Sequence, residues 1–478
     1  MSHLIAKRAA NRKISHFASE PVGEAPEGYV PHARPLLLSY GMPNSGFFPV
    51  KSISVDVPEF PFGDTIDGKP VIIEEHSKDD NLIDISRGLQ YSMVNGIPQL
   101  VDFTKQFVTR THKPKFKDWD ITITNGAGDG LNKVADALLD AEDVVLVEEF
   151  TFTPFLQNVA HVGAIPVPIR LDLSCNSQGI DYDYLHNLLE NWSNLKPGLR
   201  KPKALYTIPT GQNPTGLTQS IELRKRIYQL AEKYDFVIIE DDPYGYLTLP
   251  PYEKPEKSID YSKILDIDDY LKNHLTPSYL TIDTVGRVVR IETFSKLFAP
   301  GLRLGFMVGH RDIIKVIVNY ATIVTRSSSG TSQMLLNNII VKKWGGIDGW
   351  LTWINKMRLA YIHRRNVLLE SIIESKAYKL KYLEVLDPKA GMFVSVIINF
   401  SPNLDIEEKV KLLNWKFLAA GILTVPGINM AVDKEFSKKT GSFFRLSYAI
   451  ANNDDELREA GARLAQAVYE FFENDFQF

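Results

Sequence analysis

From residue 120 onward the chain alternates short, continuously apolar runs with amphipathic stretches at helical spacing, and this alternation restricts the fold more than any other feature. Ile121-Thr122-Ile123-Thr124 reads as a strand ending at Asn125-Gly126. Gly130 to Ala141 reads as a helix with Leu131, Val134, Ala135, Leu138 and Leu139 on one face. Val144 to Val147, Ala204 to Ile208, Phe236 to Ile239, Val288 to Ile291 and Gly305 to Val308 are further strands, and Ile221 to Tyr234 a further helix. Strands that are apolar on both faces must be covered on both faces. The expected fold class is therefore α/β, with a mainly parallel central sheet in a large domain.

The chain has 478 residues, more than one ordinary core holds. After about residue 343 the pattern changes. A long helix near Trp350 to Tyr378 leads to a strand Met392 to Ile398, a helix near 406–420, a strand Phe443 to Tyr448, and a closing helix carrying Leu457, Leu464 and Val468. This places a smaller α+β domain at 343–478 and the large domain at 51–342. Residues 1–50 lack a sheet pattern and are expected to form an arm packing on the small domain.

Composition removes several functions. With a net charge of −4 and mixed signs, no basic face for nucleic acid is expected. The single cysteine, Cys175, excludes an internal disulfide and any multi-cysteine metal site, and fits a reducing compartment. No metal is expected. No apolar run reaches the roughly 18–20 residues that cross a bilayer, so no membrane partner is expected. The first 19 residues are basic and free of acids, with Ile5, Ala9, Ala10, Ile14 and Phe17 near helical spacing. A structural arm, and hence a cytoplasmic location, is the preferred reading; a mitochondrial transit peptide is the alternative.

Polar clusters fall at successive strand ends, where open α/β sheets bind ligands. Asn125-Gly126-Ala127-Gly128-Asp129-Gly130 is a turn that presents backbone N–H groups to an anion, usually phosphate. A dinucleotide fingerprint is its rival, because Glu148 and Glu149 lie where a ribose-binding acid would sit, although Leu131 replaces the third glycine. Lys296, among Phe294, Leu297 and Phe298, is placed for burial, which lowers an amine's pKa and suits attack on a carbonyl. Arg303 offers a fork for a phosphate dianion, with Thr293 and Ser295 donating to it. An amine beside a phosphate cradle suits a phosphorylated aldehyde, and pyridoxal 5′-phosphate is that molecule. Asp241 can then hold the pyridine nitrogen protonated. Asn213 and Tyr244 can donate to the phenolic oxygen, and Phe152 can stack on the ring. Each of these residues also has a plainer reading, as a turn former, a loop acid or core packing.

Ser/Thr-x-Ser-Lys-x₃-Pro-Gly-x-Arg-x-Gly at Thr293 to Gly305, Asn-Pro-Thr-Gly at 213–216 and Asp-x-x-Tyr at 241–244 resemble motifs of the fold-type I, class I/II aminotransferases. EEFTFTP (148–154), YTIPTGQNPTG (206–216), EDDPYGYL (240–247) and ETFSKLFAPGLRL (292–304) are most similar to the fungal aromatic aminotransferase II branch. The resemblance implies that Lys296 bonds the cofactor aldehyde and moves the Cα proton, and that Asp241 pairs with the ring nitrogen. It further implies that Asn213 and Tyr244 bind the phenolic oxygen, and that Thr293, Ser295, Arg303 and the N–H groups of Ala127 and Gly128 hold the phosphate. It makes Tyr91 a residue that reaches the neighbouring subunit's phosphate, hence a homodimer. Arg445 becomes the clamp on the substrate carboxylate, assisted by Asn213, and Gly41 a pocket residue. Ala127 stands where many relatives carry serine. Tyr40 stands where a smaller residue is common and is expected to reshape the pocket.

The expected activity is transamination between aromatic L-amino acids (phenylalanine, tyrosine, tryptophan) and 2-oxo acids such as 2-oxoglutarate or phenylpyruvate. Aminoadipate or kynurenine transamination, or a lyase or cyclopropane-forming synthase on the same fold, are the alternatives. A ligand-sensing regulator would need an added DNA-binding domain, and the first 50 residues lack a clear helix-turn-helix.

Overall fold

The computed structural model describes residues 1–12, 24–34, 36, 41–174, 177–401 and 403–478. Ile14, Phe17, Tyr40 and Cys175 lie outside the described residues. Seven strands form the central sheet: β1 (Trp119–Thr124), β2 (Val144–Glu148), β3 (Ile165–Ile169), β4 (Pro202–Thr207), β5 (Val237–Asp241), β6 (Val288–Thr293) and β7 (Gly305–His310). Their order is β1-β7-β6-β5-β4-β2-β3. The pairs β6–β5, β5–β4, β4–β2 and β2–β3 are parallel. β7 runs antiparallel to both β6 and β1, which the apolar pattern alone does not reveal. The chain returns from β6 to β7 through the short turn Phe294 to Leu304, too short for the crossover that a parallel pair needs. That turn carries Lys296 and Arg303.

The helix expected from Gly130 starts three residues earlier, at Ala127, and ends at Leu138. Gly126 precedes it with φ +84°, a conformation that L side chains avoid. A Cβ there would lie 2.6 Å from Arg303 Nη2.

The second sheet has the order β8-β9-β11-β10, from β8 (Leu383–Leu386), β9 (Phe393–Ile398), β10 (Val425–Pro426) and β11 (Phe443–Ser447). Helices Ile406–Ala419 and Asp454–Glu473 cover it, close to where their periodicity puts them. Helix Ile347–Ile373 joins the two units. Its Trp350, Leu351 and Ile354 belong to the core of the large sheet, whereas Val367, Leu368 and Ile372 belong to that of the small one. The chain therefore passes between the units inside this helix rather than at residue 343.

The N-terminal arm also differs from expectation: residues 1–12 dock on the large unit, not the small one. Leu4, Ile5, Ala6 and Ala9 are buried there, and Ala6 N–H donates to Ala137 O at 2.8 Å. Arg12 reaches the two carboxylate oxygens of Asp136 at 2.8 and 3.0 Å, and Arg8 pairs with the same carboxylate. The basic residues that suggest a targeting peptide thus meet a specific acid on helix Ala127–Leu138. No helix among the described residues is long and apolar enough to cross a membrane.

Candidate active site

Four strand ends and the β6–β7 turn converge on one cavity of about 330 Å³. Ala127 and Gly128 enter it from the start of their helix, and Phe152 from the loop after β2. Asn213 comes from the loop after β4, Asp241 and Tyr244 from the end of β5, and Thr293, Ser295, Lys296 and Arg303 from β6 and its turn. The first N–H groups of a helix have no partner within it, so Ala127 and Gly128 offer donors at the positive end of the dipole. Nothing lies within 4 Å of where a Cβ on Gly128 would stand, which leaves that end open. Thr293 Oγ1 lies 2.8 Å from Ser295 Oγ and 3.1 Å from Leu304 O, so the two hydroxyls are locked side by side. Arg303 sits at φ +51° and donates to Pro300 O at 3.0 Å. Such a backbone costs a non-glycine residue about 1–3 kcal/mol and is typical of ligand clamps.

Lys296 is half-buried, and burial, reinforced by the charge of Arg303, lowers its pKa below the ordinary amine value. Asp241 is buried, and burial pushes its carboxyl up to about 7. Its Oδ2 accepts from Tyr206 Oη at 2.7 Å, while Oδ1 has no hydrogen-bond partner. Burial likewise raises the pKa of the Tyr244 phenol, which remains a neutral donor at pH 7.

The small unit contributes one charged group. Arg445, on β11, donates from Nη1 to Asn213 Oδ1 at 2.7 Å, and its guanidinium sits 4.3 Å from the Phe393 ring centroid. Gly211, at φ +58°, lets the Asn213 loop press on the small unit; a Cβ there would lie 2.7 Å from Ala390 O. With Oδ1 of Asn213 taken by Arg445, its Nδ2 remains to donate into the cavity.

This donor set fits pyridoxal 5′-phosphate. The orphaned Oδ1 of Asp241 calls for a proton-bearing ring nitrogen. The helix start, two hydroxyls and Arg303 suit a phosphate, and the depressed amine suits an aldehyde. The dinucleotide alternative loses its acid. Glu148 turns inward, accepting from Thr207 Oγ1 at 2.5 Å, Ile208 N–H at 3.2 Å and Gln212 Nε2 at 3.0 Å. Glu149 pairs with Arg170 at 2.9 Å.

Residues 59–464 match the family described as aminotransferase class I and II. The chain belongs to this family. As in other class I and II aminotransferases, its cofactor is pyridoxal 5′-phosphate, and it is an enzyme. Among relatives, aromatic amino acid aminotransferase 2 of Saccharomyces cerevisiae is 38% identical over 98% of this chain and 95% of its own length. The mitochondrial kynurenine/alpha-aminoadipate aminotransferase of Mus musculus is 32% identical over 91% of this chain and 92% of its own. The aromatic aminotransferase Aro9 from C. albicans superimposes with a TM-score of 0.95 at 56% identity, covering 100% of this chain and 99% of the other.

Three residues expected at the site are not on the cavity wall of this aminotransferase chain: Arg445, which is joined to it through Asn213, and Gly41 and Tyr91. Gly41 is exposed, and Tyr91 is 74% exposed. Their segments meet at the surface instead, where Gln90 Nε2 donates to Pro43 O at 2.7 Å. Other residues escape sequence reasoning. Leu131, Ile208 and Phe393 line the cavity but read as core, and Tyr206 reads as a strand residue.

Proposed function

We propose that this aminotransferase moves the amino group between aromatic L-amino acids and 2-oxo acids such as 2-oxoglutarate. The observation that carries the reading is the convergence of Lys296, Asp241 and Asn213, the last bonded to Arg445, on a cavity whose remaining wall includes Phe152, Leu131, Ile208 and Phe393. Apolar walls accept an aromatic side chain, and Arg445, joined to the cavity residue Asn213, is the arginine left for an α-carboxylate once Arg303 is assigned to the phosphate. The fungal relatives named as aromatic aminotransferases support the same substrate class.

Pyridoxal phosphate, when bound, supplies a carbonyl that condenses with amines and a ring that accepts the electron pair left when Cα loses its proton. The residues do the rest. Arg445 fixes the substrate carboxylate and thereby orients Cα. Lys296 Nζ, whose pKa its surroundings lower, would be the base that takes the substrate's Cα proton. Asp241 Oδ1 would accept the ring-nitrogen proton's hydrogen bond. Asn213 Nδ2 and Tyr244 Oη would donate to the phenolic oxygen, and Phe152 would cover a ring face. Thr293, Ser295, Arg303 and the N–H groups of Ala127 and Gly128 would anchor the phosphate.

We also propose a homodimer. Phe47 (83% exposed), Tyr91 and Met93 (60% exposed) lie on two segments that the Gln90–Pro43 hydrogen bond ties together. A second copy would cover them and bring Tyr91 and Gly41 to the neighbouring site. The docked arm supports a structural role for the basic N-terminus and a cytoplasmic location, which cell fractionation would test.

Incubation with phenylalanine and 2-oxoglutarate tests the activity. Equal amounts of phenylpyruvate and glutamate are expected, with kcat/KM for phenylalanine above those for kynurenine and 2-aminoadipate. Ammonia without glutamate would indicate a lyase, and the reverse substrate order would overturn the aromatic assignment.

A further inference from the structure

Tyr206 lies on β4 and is fully buried, away from the cavity wall. Its ring stacks on Phe155, with centroids 3.9 Å apart and planes 21° from parallel. Parallel pairing sets it opposite Ile239, two residues before Asp241. From there its hydroxyl reaches Asp241 Oδ2 at 2.7 Å. Asp241 lines the cavity, and its other oxygen is buried without a partner.

We propose that Tyr206 is a positioning residue for the cofactor: its phenol pins Oδ2 of Asp241 so that Oδ1 is presented, fixed and negatively charged, to the ring nitrogen. This rests on the assignment of Asp241 to that nitrogen. A carboxylate with neither oxygen tied can rotate, and it can bind a cavity water in place of the ring. One donor on Oδ2 removes that freedom and leaves one acceptor site aimed at the ligand. The choice of donor matters as well. A phenol is neutral and, buried here, has its own pKa raised well above the usual value, chiefly by burial and further by Asp241. It therefore keeps its proton and stabilises the carboxylate without neutralising it, whereas a cationic donor would compete with the ring for its charge. The stack on Phe155 sets the direction of the hydroxyl and survives its loss.

Tyr206→Phe removes the hydroxyl alone. The test is fluorescence titration of the apo-protein with pyridoxal phosphate and with its 1-deaza analogue, which carries C–H in place of the ring nitrogen. In the wild type pyridoxal phosphate binds more tightly than the analogue. In Tyr206→Phe the affinity for pyridoxal phosphate falls about tenfold, the loss expected from one charge-assisted hydrogen bond. Affinity for the analogue changes by less than about twofold, which also reports that the variant is folded. Equal weakening of both ligands, or no change in either, overturns the positioning role. Equal affinity of the wild type for the two ligands instead overturns the assignment of Asp241 itself.

Discussion

Asp241 and Asp242 are neighbours at the end of one strand, yet they serve opposite sides of the sheet. Asp241 faces the cavity with one oxygen free. Asp242 joins a buried cluster on the other face, where Arg290 Nη1 lies 2.9 Å from both Asp242 and Glu240, and its Nε lies 2.5 Å from Glu292. Arg224 adds a second cation 3.6 Å from Glu240, and Tyr246 Oη bridges Glu292 and His112. The period of two along a strand makes this division. Glu240, Asp242, Arg290 and Glu292 share the paired face, while Asp241 and Thr293 share the open one. Charges on the first face find each other as ion pairs, although Asp242 Oδ1 and Arg290 Nη2 stay without a hydrogen-bond partner. On the second, Asp241 has one donor, the Tyr206 hydroxyl, and lines the cavity with its other oxygen unpartnered. The difference teaches that an acid without an ion pair lining a cavity, rather than charge density, marks the functional side.

The sharpest way to break this contrast is at the amine. Lys296→Ala should lower kcat by about 10³-fold or more, since it removes the group that moves the Cα proton, while the circular dichroism spectrum is unchanged. Normal turnover would remove Lys296 from the chemistry. On the paired face the expected loss is of stability instead. Arg290→Met removes the cation shared by three buried carboxylates, leaving Glu240 with Arg224 alone, and should cost about 3–5 kcal/mol in urea unfolding. A cost below about 1 kcal/mol would show that the cluster is not a structural clamp.

A smaller effect is expected at the junction of the two units. Arg445→Ala should raise KM for phenylalanine about 10- to 100-fold, the loss of a charged hydrogen-bonded contact, with cofactor affinity nearly unchanged. Equal loss of both would make Arg445 a scaffold residue. The smallest effect concerns the apo-protein. The folded state lowers the Lys296 pKa, so in the range between that value and the ordinary amine value the unfolded chain binds more protons, and stability rises with pH. Lys296→Met should therefore unfold at a higher temperature than wild type at pH 7, with the gap closing as pH rises through that range. A constant gap would mean that the amine is not held out of its charged form.

Much of the open face was legible in sequence, because glycine turns, an amine beside hydroxyls and Asn-Pro-Thr-Gly sit where apolar strands end. Less of the paired face was legible. Glu240, Asp242, Arg290 and Glu292 come from two separate strands, and their partnership exists only once β5 and β6 align. Tyr206 was hidden for a related reason: within an apolar run a tyrosine looks like core, and its hydroxyl has meaning only beside Asp241. The antiparallel β7 and the arm's docking on the large unit depend on a turn's reach and on Asp136 meeting Arg8 and Arg12, which periodicity does not encode. Gly41 and Tyr91 were read from resemblance, and the single chain leaves them at its surface.

The central claim is that the amine at position 296 is the one that bonds the cofactor aldehyde. Borohydride reduction of the pyridoxal phosphate-loaded protein, followed by peptide mass mapping, tests it directly. A phosphopyridoxyl group on the peptide containing Lys296, and its absence from that peptide when phenylalanine is added before reduction, is the predicted result. Label on another lysine, or no label on a protein that transaminates, would contradict it.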